Sequence, residues 1–111
     1  MPVVMCRFGG DDGADVLGLL ANQDIYLISG QRRRMVYLPT APIPMTGGVV
    51  LVPEENVLLI PEMKVDDLMR VYFSLGALAP DAFPSSMKEA RQPINIAAQR
   101  IEKPEEAEQL Q

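Results

Sequence analysis

Apolar and polar positions alternate from the start of the chain. Val4, Cys6 and Phe8 fall on one side of an extended segment and Val3, Met5 and Arg7 on the other, which predicts a strand over Val3 to Phe8. Gly9-Gly10-Asp11-Asp12-Gly13 is turn chemistry, and Val16 to Ala21 is the next strand, so the first unit reads as a β-hairpin with a longer loop. Gly18 inside that strand predicts a bulge or a close backbone approach. Ile25 to Ile28 is a short apolar run, Gly30 to Arg34 a polar break, and Met35 to Leu38 a strand that Pro39 ends. Val49 to Val52 is continuous aliphatic, the pattern of a strand buried on both faces. Pro53-Glu54-Glu55-Asn56 is a turn, and Val57 to Ile60 is a further strand ended by Pro61.

Between two of these strands lies the most distinctive segment, Pro39-Thr40-Ala41-Pro42-Ile43-Pro44-Met45-Thr46-Gly47-Gly48. Its three prolines fix φ and remove N–H donors, which excludes a helix or a central strand, and its two glycines permit a tight reversal. Farther on, Val65, Leu68, Met69, Tyr72, Leu75 and Ala79 recur at helical spacing, so Lys64 to Leu78 is expected as one amphipathic helix ended by Pro80. Asp66 and Asp67 occupy its first turn, where the helix dipole favours negative charge, but neither Met63 nor Lys64 supplies an N-cap oxygen.

Together these elements predict an α+β fold: a small, mainly antiparallel sheet of five or six strands, curled as a sandwich or a partly open barrel, with one main helix. Residues 1–80 are expected to form the compact domain. Residues 81–111 are expected to be a tail, partly helical where Ser85 or Ser86 caps a short helix over Met87 to Arg91, then disordered from Lys103 onward. Ile94, Ile96 and Ile101 are the tail residues able to touch the body.

Composition narrows the chemistry. With 5% aromatic residues and no Trp, the core has to be built from Val, Leu, Ile and Met. A formal net charge of −5 disfavours generic nucleic-acid binding. The single cysteine, Cys6, permits no internal disulfide and falls on a strand's inward face, where it reads as a small buried hydrophobe. The absence of histidine removes the commonest general base and metal ligand and excludes Ser-His-Asp or Cys-His arrangements. No apolar run approaches ~20 residues, and the first residues lack the pattern of a signal peptide, so the chain is expected to be soluble as given.

Asp11, Asp12 and Asp15 lack the spacing of a calcium loop and read as a solvated turn. Glu54-Glu55 and Asp66-Asp67 are adjacent in sequence and so point apart. Two groups are left as candidate interaction residues. Arg32, Arg33 and Arg34 are the only concentrated positive charge, suited either to an anionic headgroup or acidic partner or simply to a solvated loop. Thr40, Thr46, Gly47 and Gly48 could build a small anion-binding nest, but without the Gly-Lys-Ser/Thr ending of a phosphate loop, and a rigid crossover between strands is the plainer reading. No catalytic residue, metal ligand or cofactor site is expected.

The run Val36-Tyr37-Leu38-Pro39-Thr40-Ala41-Pro42-Ile43-Pro44-Met45-Thr46-Gly47-Gly48 resembles the V-x-x-P-T-T-P-N-P-T-S-G signature of the continuous-vascular-ring-like membrane proteins of plants and their bacterial counterparts, a domain of unknown function. Val49 to Val57 is similar to that family's hydrophobic strand followed by V-P-x-E-D-V, and Met63 to Leu68 resembles its M-S-V-E-D-A helix start. Ile43 stands in place of the usual Asn, Ala41 of a Thr, and Lys64 of the capping Ser. The family carries two transmembrane helices ahead of this domain, and none is in this sequence. The resemblance implies a domain on the cytoplasmic face of a membrane, with plant members tied to Golgi trafficking.

The functional expectation is a non-enzymatic soluble domain of a membrane-associated protein that works through protein–protein contact or self-association, with no nucleic-acid partner. A binding module for a small anion or lipid headgroup is the alternative.

Overall fold

A computed structural model describes residues 1–89. Strands β1 (Val3–Phe8) and β2 (Ala14–Leu20) form the expected hairpin, with Cys6 opposite Val16. Strand β3 (Tyr26–Ile28) continues the line of β2 after a bend, and both run antiparallel to β4 (Gln31–Pro39). The opposite side of β4 is taken by β5 (Gly47–Pro53), in register from Arg33↔Pro53 to Pro39↔Gly47. A 3-10 turn, Glu54–Asn56, leads to β6 (Val57–Leu59), which pairs with β1. The six strands form one antiparallel sheet curled into a half-barrel; among the described residues a second stacked sheet, as in a sandwich, is not seen.

The polar break expected at Gly30 to Arg34 is instead the first half of β4. The β3–β4 turn needs only two residues, Ser29 and Gly30, both at positive φ (51° and 79°), the pair of conformations that matches the twist of a two-residue hairpin. All three arginines therefore lie on a strand. A second correction concerns β5: the uninterrupted aliphatic run suggested burial on both faces, yet this is an edge strand, with Val49 58% exposed and only Val52 buried.

Both faces of the sheet centre are buried, for different reasons. On one face Val3, Leu17 and Leu19 pack with Ile60, Met63 and Leu68, with Met5, Tyr37, Val65, Met69, Val71, Tyr72 and Phe83 around them. On the other, Val4, Cys6, Val36 and Val52 are at most 1% exposed because the sheet curls over them. The approach that Gly18 predicted is real: a Cβ there would sit 2.9 Å from the Tyr37 carbonyl and 2.9 Å from a Val36 methyl.

Helix α1 (Val65–Phe73) lies across the first face and buries Leu68. It is shorter than the pattern suggested. Gly76 N–H reaches the Val71 carbonyl at 2.8 Å and Leu75 N–H the Tyr72 carbonyl at 3.2 Å, which closes the helix in a Schellman motif with Leu75 at φ 58°. The stop therefore comes before Pro80, which instead opens a four-residue helix, α2 (Ala79–Ala82). At its start α1 makes half a capping box: the Asp67 carboxylate accepts the Lys64 N–H at 2.9 Å, and a lysine side chain has no acceptor to return. Ala82 is buried and Phe83 packs on the core, so the packed body runs past residue 80. Ser85–Met87 is a 3-10 turn rather than a helix start. The expectations for residues 90–111 lie outside the described residues.

Candidate functional site

The three arginines do not form a patch. Alternation along β4 sends Arg32 and Arg34 to one face and Arg33 to the other. Arg32 Nε donates to Glu54 Oε2 at 2.8 Å, and Arg34 Nη2 lies 3.7 Å from Glu54 Oε1 while its Nη1 donates to the Gln23 carbonyl at 2.8 Å. The hydrogen bond from Arg32 leads in holding the Glu54 carboxyl below its ordinary pKa, and raises that of the Arg32 guanidinium. Two of the three positive charges thus converge on one carboxylate of the body.

Arg33 takes a different course. Its Nη1 donates to the Leu51 carbonyl on β5 at 3.1 Å and its Nη2 to Gln31 Oε1 at 2.6 Å, while its Nε is buried with no partner among the described residues. A strand-forming arginine at this position lies over the edge strand and covers one of its carbonyls.

The proline-rich loop is likewise closed on itself. Thr40 Oγ1 lies 2.7 Å from the Ile43 carbonyl and 2.8 Å from the Thr46 carbonyl, and Thr46 Oγ1 donates to the Ile43 carbonyl at 2.9 Å. Tyr37 Oη donates to the carbonyl of buried Pro44 at 3.0 Å, fixing the loop to β4. Both hydroxyls expected to point at an anion are turned inward to carbonyl oxygens. Gly47 has a packing role: a Cβ there would meet the Leu38 carbonyl at 2.2 Å, whereas one on Gly48 would meet nothing within 4 Å.

Cys6 is fully buried, and desolvation pushes its thiol up to about 11, which makes it a poor nucleophile. Arg7 pairs with Asp15 at 3.0 Å, so the acidic turn is partly neutralised by its own hairpin. Among the described residues no group of three His, Cys, Asp or Glu side chains is placed to hold a metal ion, and no helix is long and apolar enough to cross a membrane.

Sequence reasoning missed the edge of β5. Val49 and Leu51 are exposed on a seven-residue strand that carries no charge and, among the described residues, pairs on one side only. Nearby on the loop, Ile43 and Met45 are also exposed, at 58% and 78%. The signal available in the sequence was Gly-Gly at the start of the run and Pro at its end, both more at home on an edge than in a sheet centre. No known protein family, curated protein or solved structure matches this chain.

Proposed function

We propose that this domain is a non-enzymatic protein-contact module. The observation that carries the reading is β5: a seven-residue edge with no charged side chain and two exposed aliphatic ones. Such an edge offers unpaired main-chain donors and acceptors beside apolar surface, the combination by which one chain adds to another's sheet. The alternative, capture of a small anion or headgroup by Arg32 to Arg34 or by the Thr40–Gly48 segment, draws less support, because those arginines and hydroxyls already bond to partners within the domain. The motif resemblance read in residues 36–57, which no family-model match supports, adds only the expectation that the contact takes place at a cytoplasmic membrane face.

Site-specific photo-crosslinking tests this. A benzophenone amino acid at position 49 in cells is expected to give an adduct of discrete mass, and the same probe at Asp12 is not. Failure of the position-49 probe to yield an adduct overturns the reading.

A further inference from the structure

Resting on that contact reading, we infer that the occupant of the β5 edge is a second copy of this chain, paired antiparallel about a two-fold axis at Val50. The direction of the free main-chain groups follows from bonds on either side of β4. Ala21 N–H donates to the Met35 carbonyl at 3.0 Å, so odd-numbered β4 residues bond toward β2. Thr40 N–H donates to the Thr46 carbonyl at 2.9 Å at the far end of the β4–β5 ladder. Alternation then turns the main-chain groups of Gly48, Val50 and Val52 to β4 and those of Val49 and Leu51 to the open side.

Laid antiparallel on itself about Val50, the strand matches the outward groups of Val49 and Leu51. Val49 of each copy faces Leu51 of the other as a hydrogen-bonded pair, and their exposed side chains meet on one face as cross-strand apolar pairs. The Leu51 carbonyl has a second lone pair to offer beside the one Arg33 uses. Val50 meets its own counterpart as a non-hydrogen-bonded pair. At the ends, Pro53, which lacks an N–H, falls opposite Gly47 and leaves the Gly47 carbonyl to water, while Glu54 falls opposite Thr46, so the two Glu54 carboxylates are not paired with each other. Displacing the register by two residues in either direction shortens the overlap. The strand spans about 23 Å, which gives an interface at the low end of specific complexes, with dissociation in the micromolar range.

The test uses the full chain and three variants. Light scattering behind a sizing column, from about 1 to about 500 μM, is expected to show a concentration-dependent dimer. Val49→Pro removes an outward-facing donor and the valine side chain of the apolar pair without touching a bond to β4, and is expected to shift dissociation at least about tenfold weaker with an unchanged circular dichroism spectrum. Val50→Cys places two sulfurs across the axis at about 4.5 Å between Cα atoms, within disulfide range, and is expected to give a covalent dimer on mild oxidation, with Gly48→Cys as the unreactive control. A wild type that stays monomeric throughout overturns the inference and leaves the contact reading with a different partner. A dimer that Val49→Pro does not weaken and Val50→Cys does not link overturns the edge while self-association stands. If Val49→Pro unfolds, absence of the Val50→Cys link alone overturns it.

Discussion

The Tyr72 hydroxyl donates to the main-chain carbonyl of Leu17, tying α1 to β2 across 55 residues of sequence. The ring is half-buried in the core cluster, and desolvation raises the phenol's pKa, so this contact is partly shielded from water. Removing the hydroxyl leaves a carbonyl without that donor. Tyr72→Phe is expected to destabilise the fold by about 1–2 kcal/mol, read from urea unfolding followed by circular dichroism.

Gly47 and Gly48 are neighbours with opposite tolerance. An added Cβ at Gly47 collides with the Leu38 carbonyl, and one at Gly48 points into open space. Gly47→Ala is expected to cost about 2 kcal/mol and Gly48→Ala to stay within about 0.5 kcal/mol of wild type in the same unfolding experiment.

Leu75 holds a left-handed backbone conformation in the closing turn of α1, one residue before the glycine suited to it. Its side chain is 71% exposed and contributes little packing. Leu75→Gly is expected to stabilise the protein by roughly 0.5–1 kcal/mol, seen as a higher thermal midpoint.

Burial of Cys6 favours the neutral thiol. Because its folded pKa is raised, the associated stability is fully present below the ordinary thiol pKa, about 8.5, and is lost as pH rises through about 11. Ellman's reagent near pH 8 is expected to label the native protein orders of magnitude more slowly than the guanidinium-unfolded chain, and equal rates would contradict the buried placement.

Glu54 follows the opposite sign. Its pKa is lowered, first by the hydrogen bond from Arg32, so its contribution is present above the ordinary glutamate value and fades as pH falls through the folded one. Carbon-13 NMR of the Glu54 carboxyl is expected to give a midpoint below that of free glutamate, moving upward in Arg32→Ala.

Much of the fold was legible because its signals are local. The alternation of Val3 to Phe8 placed Cys6 on the inner face, and Gly18 announced the close approach of β4. What misled were signals whose meaning depends on neighbours. A continuous aliphatic run reads as central whether or not a second strand arrives, and beside Val49 none does among the described residues. Three consecutive arginines read as a loop until Ser29 and Gly30 are seen to complete the turn before them. Helical spacing continued through Leu75 although Gly76 had already favoured a stop. At the candidate site, residue types were visible in the sequence but their commitments were not: Glu54 lies 22 residues from Arg32, and no local rule pairs them.

The half-barrel leaves its strand edges unequal in length. β3 and β6 each offer three residues, residues 14–18 of β2 lack a second strand but have the Leu17 carbonyl taken by Tyr72, and β5 offers seven. A sheet with two long matching edges can add subunits without limit, as fibrils do. Among the described residues this one has a single edge of that length, which gives it a valence of one. Once that edge is occupied, growth by strand addition has nowhere of comparable length to continue, so the same feature that invites a partner also caps the size of what forms.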